Sequence, residues 1–205
     1  MISSVIERLG DRRDAAADAG EDAGFTLIEL MVVLLIMAIL LAIAIPTFLG
    51  VSGSANDRAA QSNLNTALTN AKSYFQSNSQ SFAAATTAIG VLSTQEPSIQ
   101  WTTGASGTSS QISVYTDATT GNGVILASLS KTGVCWYLVD NEANEASTTD
   151  TTYKNVPSAE LQPGTWYGGA PNMTKTTCTA AFPATAPTGL VWSPAGTAGF
   201  PGGLP

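Results

Sequence analysis

The sequence predicts an α+β fold: one long N-terminal helix packed on a small antiparallel β-sheet. Three patterns carry that expectation. Leu30 to Ile45 contains no polar residue, and Glu29 is the only charge between Phe25 and Leu49. Ala60, Leu64, Ala67, Leu68, Ala71 and Phe75 then recur at helical spacing. Further on, Gln111–Thr116, Val124–Ser130 and Gly133–Asp140 read as strands joined by short turn signals, which implies an antiparallel meander.

Residues 1–24 are polar, with six acids and the three arginines Arg8, Arg12 and Arg13. The small residues Ala23 and Gly24 stand before the apolar run, whereas a secretory signal carries its cut site after its apolar core. A peptidase acting here would leave the apolar segment on the mature chain. Residues of about 27–49 are long enough to cross a bilayer core, which needs roughly 20 apolar residues. The arginines before the span favour an inside N-terminus; Arg58 after it opposes this weakly.

The helix is expected from Thr26 to about Asn78, roughly 80 Å at 1.5 Å per residue. Thr26-x-x-Glu29 fits a capping box at its start. Pro46 falls inside it, followed by Gly50 and Gly53; because the helical pattern resumes, these three predict a kink or loosened stretch rather than an end. The second half is amphipathic, with Asp57, Arg58, Gln61, Asn65, Asn70 and Lys72 on its polar face. Residues 79–205 form the C-terminal domain. Ser79 to Ser110 reads as a connection with little regular structure. Alternating side chains in Val134–Val139 are apolar on both sides, so that strand is expected to be buried on both faces. Asn141 to Ala170 reads as polar and turn-rich, and Ala181 to Pro205 as a Pro/Gly tail anchored by Trp192 and Phe200.

Composition excludes several classes of function. The chain has no histidine, which removes His-based acid–base chemistry, Ser-His triads and His metal sites. No phosphate-binding loop, nucleophile elbow or dinucleotide fingerprint appears, so no enzyme activity and no cofactor are expected. The net charge is −7, and −4 without residues 1–24. Lys72, Lys131, Lys154 and Lys175 are scattered along the sequence, giving no direct nucleic-acid signal. Asp140 to Glu145 is acidic, but Glu145 and Thr151 occupy the places where an EF-hand loop needs Gly and Glu, so no metal site is assigned. Asn172-Met173-Thr174 matches a glycosylation acceptor, a pattern common by chance.

Gly24-Phe25-Thr26-Leu27-Ile28-Glu29 and the apolar run containing Pro46 resemble the type IV prepilin family, which includes the pseudopilins of type II secretion. The resemblance is specific over about Gly24 to Phe48. The leader departs from it in being long and acidic. The resemblance implies cleavage by a prepilin peptidase between Gly24 and Phe25 and N-methylation of Phe25. It also implies an assembly ATPase and a platform protein as partners, storage in the cytoplasmic membrane, and a homo-oligomeric helical filament outside the cell. In that setting Glu29 becomes the fifth residue of the mature chain. A carboxylate among packed helices is costly unless paired, and the new amine of a neighbouring subunit is its expected partner.

The resemblance places Cys135 and Cys178 outside the cytoplasm, where an even pair reads as a disulfide; two buried free thiols are the alternative. The expected function is a structural pilus subunit serving adhesion, motility or DNA uptake. A secretion pseudopilin and an unpolymerised membrane-anchored binding domain are the alternatives.

Overall fold

A computed structural model of the chain describes residues 25–82, 85–117, 120–143, 156, 162–182, 185–194 and 197–204. The leader, the far side of the Asp140–Glu145 loop and Lys154 therefore lie outside the described residues. The chain divides into two units, Met1–Phe48 and Leu49–Pro205.

Within the first unit, the described chain is the start of helix α1 (Leu27–Ser77), and every residue from Phe25 to Phe48 is exposed. The helix does not end at Ile45; it continues through Pro46. Proline withdraws one backbone donor there. Next to it the Thr47 hydroxyl donates to the carbonyls of Ile43 (3.0 Å) and Ala44 (2.9 Å).

The second unit is built on the rest of α1 and a six-stranded sheet in sequential order. Its strands are β1 (Gln100–Thr102), β2 (Gln111–Thr116), β3 (Gly123–Leu129), β4 (Cys135–Asn141), β5 (Gly164–Ala170) and β6 (Val191–Trp192). All neighbouring pairs are antiparallel except β1 with β2, which is parallel. A second helix, α2 (Ala85–Gln95), precedes the sheet.

The expected stripe on α1 is the one that packs. Ala60, Leu64, Ala67 and Ala71 are buried, with Leu68 and Phe75 partly so, against Ile112, Val114, Val124, Leu126, Trp136 and Leu138 of the sheet. Alternate side chains of the same strands, Ile125, Ala127, Tyr137 and Val139, pack on the opposite face under Cys178, Ala180 and Phe182. The sheet is thus covered twice, by helices on one side and by the chain after β5 on the other. This is why all seven residues of β3 and of β4 are buried.

Three stretches correct the sequence reading. The connection from Ser79 to Ser110 contains α2 and β1; Ala88 and Leu92 are buried and Ala85 and Ile89 partly so, a helical stripe diluted by Thr and Gly. The turn-rich stretch to Ala170 ends in β5, whose glycines lower its strand propensity but are required by packing. A Cβ on Gly168 would meet the Trp192 ring at 2.8 Å, and one on Gly169 would run into Leu204 and the Trp136 ring. The tail contributes β6, and Phe200 stacks edge-on against Trp136 (5.5 Å) and Tyr167 (4.9 Å), so Trp192 and Phe200 are its anchors as expected.

Candidate functional site

The first turn of α1 is closed by a reciprocal cap. Glu29 Oε2 accepts from the Thr26 backbone N–H (2.8 Å) and hydroxyl (2.7 Å), and Thr26 Oγ1 accepts from the Glu29 N–H (3.3 Å). This is the capping box the spacing predicted. Both bonds to the carboxylate fall on one oxygen, leaving Oε1 without a partner among the described residues. Phe25, just before the cap, is 81% exposed. Gly24 lies outside the described residues.

Downstream of the cap the helix surface is apolar all round. Nineteen large apolar side chains from Phe25 to Val51 are about half exposed or more. The helix is long and apolar enough to cross a membrane. Monomeric soluble proteins rarely expose apolar surface on this scale.

In the second unit, Gly53 lies against the turn between β3 and β4, where a Cβ would be 3.6 Å from Thr132 Cγ2; around Gly50 there is open space. Three polar clamps then fix the helix. Asp57 Oδ1 accepts from the Thr132 hydroxyl (2.6 Å) and Trp136 Nε1 (3.3 Å). Asn63 Nδ2 donates to the Ser109 carbonyl (2.7 Å). Lys72 Nζ reaches Asp140 (3.0 Å) and Glu142 (3.6 Å), and Thr165 also donates to Asp140 (2.6 Å).

By sequence, Asp57 and Lys72 belong to the outer polar face. They flank the buried stripe instead, Asp57 one turn before Ala60 and Lys72 directly after Ala71, and that adjacency is the signal that could have found them. Burial alone lowers the Lys72 pKa, but the Asp140 hydrogen bond and the charges of Asp140 and Glu142 more than offset it, so the net shift is upward. Burial pushes the Tyr137 phenol up; its ring packs on Phe182 (4.8 Å).

Cys135 and Cys178 are joined in a disulfide, with Cα atoms 5.5 Å apart. It ties the chain after β5 to the first residue of β4. A second tie lies beside it, from the Met173 N–H to the Gly133 carbonyl (2.8 Å). Of the acidic cluster, Asp140 and Glu142 are engaged by Lys72, while Asn144 and Glu145 lie outside the described residues. No group of three or more potential metal ligands occurs among the described residues.

Residues 21–45 match the prokaryotic N-terminal methylation motif, a signal typical of type IV pilins and pseudopilins. The motif implies processing by a prepilin peptidase, and with the apolar helix it points to membrane anchoring. No curated protein and no solved structure matches the chain significantly.

Proposed function

We propose that the chain is the structural subunit of a type IV pilus, held in the cytoplasmic membrane and then polymerised through its N-terminal helix into a surface filament. The observation that carries this is the methylation motif at residues 21–45 leading directly into a helix whose first half, to Val51, exposes its large apolar side chains. Fully burying each large apolar side chain is worth roughly 1.5–3 kcal/mol. Insertion into lipid, or packing against identical helices, is therefore driven by on the order of tens of kcal/mol. The pilin-like α+β architecture, with its small sheet on the second half of the helix, supports the same reading.

Cleavage falls between Gly24 and Phe25, and Phe25 becomes N-methylated. Glu29 caps the helix in the membrane and, in the filament, pairs with the Phe25 amine of a neighbouring subunit. Pro46, Gly50 and Gly53 allow the helix to bend as the subunit passes from lipid to fibre. An assembly ATPase and a platform protein supply the work of extraction.

A pseudopilin of a secretion system shares every one of these features. The test is the intact mass and N-terminal sequence of the protein from membranes and from sheared surface material. A product beginning at N-methyl-Phe25 in the sheared fraction supports the pilus. The same product confined to the envelope, with exported proteins lost on deletion, supports the pseudopilin. A product still beginning at Met1 overturns both in favour of an anchored domain.

A further inference from the structure

Asn172-Met173-Thr174 places an asparagine two positions before a hydroxyl residue, the pattern of a glycosylation acceptor. None of the other asparagines in the chain has Ser or Thr at that spacing. A sugar linked to asparagine by this rule therefore has a single address. The structure adds conditions that the three-residue pattern does not contain.

Asn172 opens the loop after β5 and is exposed, as is Thr174. Its φ is +58°, in the left-handed region where asparagine is among the few side chains readily accepted. Glycine would serve that backbone equally well, so the turn alone does not call for a side-chain amide. The amide makes no hydrogen bond among the described residues, which leaves its nitrogen accessible. The chain just beyond it is held. Met173 N–H donates to the Gly133 carbonyl (2.8 Å) and Thr174 N–H to the Thr177 hydroxyl (2.8 Å), and Cys178 is tied to Cys135. The acceptor is thus presented from a fixed base.

Asn172 also lines an open recess of about 510 Å³. Met173, Thr176, Thr179, Pro187 and Thr188 line it too, and no acid or base does. Its size falls within the roughly 300–1,000 Å³ of small-molecule sites. Hydroxyls beside apolar side chains suit a neutral sugar ring, which offers both O–H groups and C–H faces.

We propose that Asn172 is the acceptor of an N-linked glycan. This rests on the export of the C-terminal unit in the function above. The donor is a glycosyl diphosphate. Asn172 Nδ2 bonds to the anomeric carbon of the sugar, and the bond from that carbon to the diphosphate oxygen breaks. The diphosphate leaves with the electron pair, and Nδ2 gives up one proton. Nothing is oxidised or reduced.

The test is peptide mass mapping of the full chain isolated from its native cells, with variants expressed in the same cells. The peptide holding Asn172 should carry added sugar mass, located on that residue by fragmentation. Asn172→Asp, which keeps a side chain accepted at this φ, should lose the added mass entirely, and so should Thr174→Ala. Thr174→Ser should keep it. Intact mass and far-ultraviolet circular dichroism verify that the disulfide and fold persist in each variant. Sugar that survives Asn172→Asp sits on a hydroxyl and overturns the N-linked assignment; undiminished occupancy in Thr174→Ala overturns it too. A bare Asn172 in protein that begins at Phe25 and is disulfide-bonded overturns this proposal alone. A bare Asn172 in protein that still begins at Met1, with both cysteines reduced, overturns the export reading with it.

Discussion

Lys72 Nζ lies 3.0 Å from Asp140 Oδ1, joining the last third of the long helix to the fourth strand of the sheet. The pair is lopsided: the Asp140 side chain is 1% exposed and that of Lys72 41%. Asp140 thus depends on the lysine far more than the lysine depends on it. Lys72→Ala should destabilise the domain by about 1–3 kcal/mol through the buried carboxylate left behind, as read by chemical denaturation. Lys72→Arg should recover most of the loss.

The same pair sets a pH dependence. The folded-state pKa of Lys72 is raised, so its contribution is fully present below the unfolded value of about 10.4 and is lost as pH rises through the folded one. The wild type should lose stability in that alkaline window, and the difference between wild type and Lys72→Ala should shrink there. Because Lys72 is substantially exposed, solvent screening keeps the effect small. Denaturation midpoints from pH 8 to 11.5 test it.

The Cys135–Cys178 bridge closes a loop of 42 intervening residues. Its loss should cost roughly 3–4 kcal/mol. Reduction, or Cys135→Ser with Cys178→Ser, should lower the unfolding midpoint accordingly, and the oxidised protein should be two hydrogens lighter by mass.

Gly168 and Gly169 sit between aromatic rings on opposite faces of β5. Gly168→Ala should push Trp192 aside, and Gly169→Ala should displace Leu204 and Trp136. Each overpacking substitution is expected to cost about 1–3 kcal/mol. A red shift in tryptophan emission, with loss of the tail's protection from proteolysis, should accompany the change.

Capping and assembly can be separated at Glu29. Thr26→Ala removes the cap but keeps the carboxylate; Glu29→Ala removes both. Loss of a cap costs about 1 kcal/mol. If Glu29 pairs with a neighbouring amine, Glu29→Ala should yield cleaved, stable protein with few filaments, while Thr26→Ala should assemble. Equal assembly by the two variants, scored by electron microscopy of sheared material, would reduce Glu29 to a cap.

The parts of the fold that could be read in advance were those with a single dominant periodicity. Ala60 to Phe75 repeats with the period of a helix, and the core strands β2, β3 and β4 are apolar runs bounded by turns, so their positions followed within a residue or two. The helix α2 was hidden because its buried positions are two alanines, an isoleucine and a leucine among threonines and a glycine. Strand β5 was hidden because Gly168 and Gly169 answer to Trp192, Trp136 and Leu204, which no local pattern can reveal.

The three polar clamps on α1 also have a mechanical meaning. Asp57, Asn63 and Lys72 grip the sheet unit at intervals spread over about 22 Å of helix axis. A pull along that axis strains all three together, in shear, rather than peeling them one after another. The Cys135–Cys178 bridge, starting from the strand beside the first clamp, passes the strain on to the outer layer of the domain.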